Sequence, residues 1–402
     1  MKPKTWDTEA LGELVTFRSG GTPSRENPAF WNGSLPWFSG KDLKTHFLKD
    51  SIEHLSDSAI KRRSTLCPAG GILVLIRGMT LMKEVPVGLL RCEAAFNQDV
   101  KALLPDAERI DAQFLAYFLR AENQRIRNLV TTAGHGTGRL PLESLEEYPI
   151  SFPPLAEQRK IADILTTWEE GLEKLDALIA AKDRRKKALM QQLLAGKLRF
   201  PKSGRKPWEK LRMNTLLARV FRPIEWAADK SLSLVSLRRR CGGLFRRADV
   251  LGADYKTQDL HDLMADDFLI SKRQVVHGAW ALVTPEFQGS HVSKEYAILV
   301  NTGPEKLHMP FFAWLAQTPR MIRFARVAST GVHIEKLIFD TDVFLREIIR
   351  IPADMEEQRA IAAILDTCDE ELRLLRAERA AIDQQKRGLM QRLLTGKVRV
   401  SI

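Results

Sequence analysis

One stretch of this chain is written twice, 200 residues apart. EQRKIADILTTWEEGLEKLDALIAAKDRRKKALMQQLLAGKLRF from Glu157 aligns without a gap to EQRAIAAILDTCDEELRLLRAERAAIDQQKRGLMQRLLTGKVRV from Glu357, with 24 of 44 positions identical. Self-similarity at a fixed period decides architecture before local propensity does. Residues 1–150 and 201–350 show no comparable match to each other, so the chain reads variable, constant, variable, constant.

Each copy carries a heptad seam. Ile161, Leu165, Trp168, Leu172, Leu175, Ile179, Lys182, Lys186, Leu189 and Leu193 alternate four and three apart, as do Ile361, Leu365, Cys368, Leu372, Leu375, Arg379, Ile382, Lys386, Leu389 and Leu393. Gly196 and Gly396 stand where a left-handed C-cap is expected. The pattern predicts two helices of about 40 residues, each about 60 Å long at about 1.5 Å per residue. Lys and Arg interrupt the seam at different places in the two copies, which favours pairing of the copies with each other over a homodimeric zipper. Antiparallel pairing is simplest: positions summing to 554 then face each other, Ala177 opposite Ala377 at a close crossing and Ile161 opposite Leu393. Packing of each helix only on its neighbouring domain stays open. The expected fold class is α+β: two globular α/β domains separated by two long antiparallel helices in a pseudo-twofold cyclic arrangement. The expected boundaries are 1–152, 153–200, 201–351 and 352–402.

A length of 402 residues suits two globular cores. No run of 18 apolar residues occurs and the N-terminus has no signal-like apolar stretch, so a cytoplasmic location is expected. Cys67, Cys92, Cys241 and Cys368 are scattered without a CxxC pair, which argues for reduced thiols and against a disulfide framework or a zinc site. The net charge of +12 is uneven: residues 201–350 hold 24 Lys and Arg against 16 Asp and Glu, residues 1–150 hold 19 against 18. A basic excess of this kind suits a polyanion partner, with nucleic acid the commonest.

No catalytic, cofactor-binding or metal-binding residue is expected in this chain. A GxxxxGK[ST] phosphate loop is missing from the sequence. Phe152-Pro153-Pro154-Leu155 lacks both the acceptor and the stacking ring of the Asn/Asp-Pro-Pro-aromatic motif of amino-methyltransferases, and reads as a helix-entry turn. Gly134, Gly136 and Gly138 form a turn without a leading apolar strand, either a plain connection or a DNA contact. DNA reading needs cations for phosphates and forked donors for base edges. In the second variable part these are Arg238-Arg239-Arg240 before Gly242-Gly243, then Arg246, then Lys272-Arg273-Gln274 with His277. In the first they are Arg77-Gly78-Met79 after the apolar run Ile72–Ile76, Asn97-Gln98, then Ser39, Lys41 and Lys44, with His135 and Arg139 in the Gly-rich turn. Solvated surface charge and strand-end hydrogen bonding are the competing readings for these residues.

The stretches RSGGTPSRENPAFWNGSLPWFSGKDL from Arg18, PAGGILVLIRGMTL from Pro68, AFNQDVKALLP from Ala95, GHGTGRLPLESLEEYPISFPPLAEQRKIADIL from Gly134, VSLRRRCGG from Val235, SKRQVVHGAWALV from Ser271 and IPADMEEQRAIAAIL from Ile351 span essentially the whole length. Together they resemble the specificity subunits of type I DNA restriction-modification systems. The second copy departs from the first by one extra residue before Glu357. The resemblance implies a non-catalytic subunit in which each variable part is a target recognition domain for double-stranded DNA. The helices would pair and dock two modification (methyltransferase) subunits, through Glu157, Gln158, Arg159, Ile161, Leu165, Leu172 and Ala177 and their counterparts Glu357, Gln358, Arg359, Ile361, Leu365, Leu372 and Ala377. It implies no cofactor on this chain: S-adenosylmethionine for adenine-N6 methylation, and ATP with Mg for restriction, belong to modification and restriction subunits. Unlike variable parts predict an asymmetric, bipartite target with a spacer set by the helices. The alternatives are a stand-alone DNA methyltransferase or nuclease with an unrecognised site, and a coiled-coil scaffold for proteins.

Overall fold

The computed structural model describes residues 6–60, 66–133, 136–200, 206–255, 259–334 and 337–401. The chain divides into two compact units, residues 1–178 with 375–402, and residues 179–374.

In the first unit, the uniformly apolar run Ile72–Leu75 demands burial on both faces rather than one. It is accordingly an inner strand with all four side chains buried. Val100–Pro105 and Val87–Leu90 flank it antiparallel, with Val15–Ser19 and Phe47–Leu48 at the edges. The helix Ala112–Ala121 begins at Asp111, whose carboxylate accepts from the Gln113 and Phe114 amides. It inserts Phe114, Leu115, Phe118 and Leu119 into the same core. Asp7–Ala10 pairs antiparallel with Pro149–Phe152, which leads through Pro153-Pro154 into the first long helix.

The second unit rebuilds this frame from different residues. Its sheet runs Leu217–Val220, Tyr296–Asn301, Phe268–Ser271, Trp280–Leu282, with the same order and the same antiparallel sense as the first four strands above. Trp208–Arg212 pairs with Ile348–Pro352, as Asp7–Ala10 does with Pro149–Phe152. The variable parts are therefore duplicated in topology although not in sequence. A core needs apolar side chains of suitable volume, not particular ones, so identity decays while the frame persists. The units differ outside the frame. The first adds a small sheet of Glu53–Leu55, Leu35–Phe38 and Ala95–Phe96 over a core that includes Trp37, Leu55 and Leu66, while the second adds two-stranded ribbons such as Val235–Leu237 with Leu244–Arg246.

Leu155–Leu193 and Met355–Leu393 are continuous helices of 39 residues each. Their burial follows the seam: Leu172, Leu193, Leu372 and Leu393 are buried, and the seam positions between them are half-buried or buried. The cations that interrupt the seam are paired with acids of the facing helix. In the first unit Lys386 meets Glu169 and Arg379 meets Asp176 at 3.0 Å; in the second Lys182 meets Glu371 at 2.5 Å and Lys186 meets Asp369. Each pair sums to 553–555, the antiparallel register expected from the sequence. Ala177 and Ala377 do not form the crossing: both are exposed. Ala177 lies two residues beyond Leu175, about 200° round the helix from the seam at about 100° per residue, so large residues and ion pairs set the contact at this level.

Gly196 and Gly396 adopt φ of +66° and +68°, closing the helices as left-handed caps. A Cβ on Gly196 would also stand 3.0 Å from the Trp208 ring, and one on Gly396 3.2 Å from Trp6. Gly196→Ala is expected to lower stability by about 1–2 kcal/mol, from αL strain with ring displacement. Urea unfolding measures this, and an unchanged midpoint would mean the cap carries no strain.

Candidate nucleic-acid interface

The strand that ends at Leu75 continues into Arg77-Gly78, which pairs antiparallel with Thr137–Arg139 so that Gly78 faces Gly138 and Arg77 faces Arg139. Glycine is required at this contact: Gly78 has φ +155°, and a Cβ on Gly138 would lie 2.8 Å from the Leu81 Cβ. Residues about 60 apart in sequence thereby place two arginines directly across a ladder. Like charges in that position cost about 0.2–1 kcal/mol. Both are exposed, and neither makes an ion pair or side-chain hydrogen bond among the described residues. Met79 beside them is 72% exposed. An exposed, repelling cation pair is what a polyphosphate backbone would relieve.

The remaining first-unit candidates converge on the same edge with different roles. Leu35–Phe38 and Ala95–Phe96 run parallel, Phe38 beside Phe96, so Ser39 and Asn97 leave the sheet together. Gly40 packs against Leu75, and the amides of Ile76 and Arg77 donate to the Asp99 carbonyl. Asn97 is turned inward: it is buried, its Oδ1 accepts from the Asp99 amide and its Nδ2 donates to the Asp99 carboxylate. Ser39 is likewise a turn residue, donating through its amide and hydroxyl to Asp42. Gln98, Lys41 and Lys44 are exposed, and Gln98 Oε1 accepts from Thr22. His135 lies outside the described residues. Lys83 and Arg127, not singled out in the sequence, lie at the same edge. Arg127 donates to the Met82 carbonyl at the end of the 3-10 turn Met79–Met82, where Lys83 follows exposed. Only tertiary pairing brings them there, and in sequence they resemble ordinary helix-surface charge.

In the second unit the Val235–Leu237 and Leu244–Arg246 ribbon presents the triple arginine on its turn. Arg240 and Cys241 have φ of +59° and +54°, held by amide hydrogen bonds to the carbonyls of His277 and Gly278. Two consecutive left-handed non-glycine residues store strain of order 1–3 kcal/mol each. This brings Arg238, Arg239, Arg240 and His277 together. Arg238 is partly committed, lying over the Phe245 ring and donating to the Leu244 carbonyl. Arg246 is a framework residue, bonded to Ser233 and the Glu286 carbonyl and lying over Phe287. Lys272 and Arg273 are also engaged, Lys272 with the Lys294 carbonyl and Arg273 with Glu295 at 2.8 Å. Burial and then Arg219 hold Lys272 below the usual lysine range. Gln274 is half-buried with Oε1 facing no partner among the described residues.

The repeated Glu-Gln at each helix start does not face the other helix; it forms a clamp. Arg399 donates twice to the buried Glu157 carboxylate, both at 2.7 Å, and Arg199 does the same to Glu357 at 3.0 and 2.8 Å. The end of each repeat thus grips the beginning of the other. Gln158 accepts from the Asp111 amide and donates to the Pro153 carbonyl, and Gln358 accepts from His308 and donates to Pro352 and Lys306. Arg359 pairs with Glu356, and Arg159 is exposed. Ile161 and Leu165 are fully buried in the first unit's core, Ile361 and Leu365 in the second's. Among the described residues no group of three His, Cys, Asp or Glu could hold a metal ion, and no helix is long and apolar enough to cross a membrane.

Residues 3–181 match the family model of the type I restriction modification DNA specificity domain. The chain is 31% identical over 166 residues to the EcoR124I/EcoR124II specificity subunit of Escherichia coli, covering 41% of this chain and 40% of that one. It is 22% identical over 414 residues to the MjaVIII specificity subunit of Methanocaldococcus jannaschii, covering 99% and 94%. The matches to the E. coli protein and to the M. jannaschii MjaIX subunit span only about two fifths of those relatives' lengths. The fold is shared with the S subunit of a type I restriction-modification system from M. genitalium, with a TM-score of 0.62 at 15% identity over 98% of this chain and 97% of that one.

Proposed function

We propose that this chain, with a type I restriction-modification DNA specificity domain at residues 3–181, is the non-catalytic subunit that reads DNA sequence for such a complex. The observation that carries this reading is one sheet frame built twice, with unlike cation-bearing tips. Each unit reads one half of an asymmetric bipartite target, the paired helices set the spacer, and they dock two modification subunits. Methyl transfer from S-adenosylmethionine to adenine N6, and ATP- and Mg-dependent cleavage by restriction subunits, reside on those partners.

Exchanging residues 201–350 for the corresponding part of another specificity subunit is expected to change one half-site only, read by genome-wide mapping of N6-methyladenine. A change in both half-sites, or methylation that no longer depends on this chain, would sink the proposal. Adding one heptad to each long helix, after Ala177 and after Ala377, is expected to lengthen the spacer by about three base pairs, since seven residues rise about 10 Å. Both half-sites should stay the same. An unchanged spacer would assign the spacing to another part of the chain.

A further inference from the structure

The last turns of both long helices carry the same face, Asp-x-x-Lys-Lys/Arg-x-x-Met. It is Asp183, Lys186, Lys187 and Met190 in the first and Asp383, Lys386, Arg387 and Met390 in the second. In each unit this face lines a cavity against the globular part, about 410 Å³ in the first unit and about 480 Å³ in the second. The ion-pair wiring is identical. Arg387 pairs with Asp383 and Lys386 crosses to Glu169; Lys187 pairs with Asp183 and Lys186 crosses to Asp369. The helix cations are thus matched before any ligand arrives. To this each globular part adds a guanidinium, Arg120 from the end of Ala112–Ala121 in the first unit and Arg240 from the strained turn in the second. Neither makes a side-chain hydrogen bond or ion pair among the described residues.

With Lys386 and Arg387 matched by Glu169 and Asp383, the other charged residues lining the first cavity are Lys44 and Arg120 against Glu84 alone. His46 is buried and stacked on Tyr117 at 3.9 Å; burial first, and then Arg120, Lys386 and Arg91, push its pKa down to about 2. Burial holds Arg120 below the usual arginine range against the pull of Tyr117, Glu84 and Asp383. Lys386, although it meets Glu169, is pushed down to about 8 by burial, Arg120 and Arg387. Arg120 is half-buried, and a guanidinium without a carboxylate partner is stabilised by an oxyanion that accepts its forked donors.

We propose that the first-unit cavity binds a phosphate-class oxyanion through Arg120, with the exposed Lys44 and Arg387 beside it, and that the second-unit cavity at Arg240 is its counterpart. Inorganic phosphate and a backbone phosphate of bound duplex share this chemistry. The test uses the full chain at constant ionic strength, exchanging chloride for inorganic phosphate and following thermal midpoint and phosphorus-31 line width. The unmodified protein should show phosphate-specific stabilisation. Arg120→Gln should weaken it about tenfold without lowering stability in chloride, because a desolvated charge is removed. Glu84→Gln should strengthen it by about threefold, and Arg240→Gln with Arg120→Gln should abolish it. If the source is DNA, free phosphate has no effect, but Arg120→Gln lowers the salt slope of duplex binding by about 0.9. An unchanged phosphate response together with an unchanged slope in Arg120→Gln would overturn the proposal. So would a loss of stability in chloride as large as that in phosphate, which would make Arg120 a packing residue.

Discussion

Replacing Arg77 and Arg139 together by glutamine is expected to weaken duplex binding about 10–100-fold near physiological salt. The slope of log affinity against log salt should fall by about 1.8, about 0.9 for each phosphate left without its guanidinium. The free protein should be unharmed or slightly more stable, because the two side chains face each other across a ladder without acidic partners. That combination, weaker binding with an undiminished fold, separates an electrostatic role from a structural one. A different outcome is informative too: if sequence preference changes while the slope does not, the guanidinium groups read guanine edges rather than phosphates. Arg273→Gln is the control, since Arg273 is already occupied by Glu295 and should change the slope little.

Glu157→Ala is expected to cost about 3 kcal/mol in urea unfolding, because it removes a buried carboxylate and the two hydrogen bonds it accepts from Arg399. The value lies at the lower end for a broken buried pair, since the Arg399 side chain is 35% exposed. The pH dependence has a definite sign. Arg399, helped by the Val400 amide and opposed by burial, holds the Glu157 carboxyl below its ordinary value of 4.5. Its contribution is therefore fully present above that value and is lost as pH falls through the depressed folded value. The stability difference between the parent and Glu157→Gln should be constant from pH 7 to about 5 and shrink below pH 4.5. A difference that stays constant down to pH 3 would mean the clamp does not depend on charge.

The frame was legible because its signals are periodic. The seam, the glycine caps and the antiparallel register are all set by spacing, and they reappear as burial at Leu172 and Leu372, φ at Gly196 and Gly396, and pairs such as Arg379 with Asp176. Ala177 and Ala377 misled because register fixes which residues are level with each other, not which way they point. The clamp was half visible: Glu157-Gln158 was marked by repetition, but its partners Asp111 and Arg399 are distant in sequence and no local pattern names them. The candidate interface was legible as residue types and not as roles. Arg77 and Arg139 share a ladder only through pairing, whereas Asn97, Ser39, Arg246, Lys272 and Arg273 look like readers in sequence and turn out to bond within the protein. The shared sheet frame escaped the sequence entirely, because apolar strands can exchange members without leaving a trace of identity.

The first unit draws on both residues 1–178 and residues 375–402, while the second is continuous from 179 to 374. Vectorial synthesis therefore treats them unequally. The second unit can close as soon as it has left the ribosome, but the first must wait with Glu157 unpaired and Trp6 uncovered until Gly396 and Arg399 emerge. At about 5–20 residues per second that interval is about 10–45 s. A frameshift or nick late in the message would thus be felt first in the part of the protein that was made earliest.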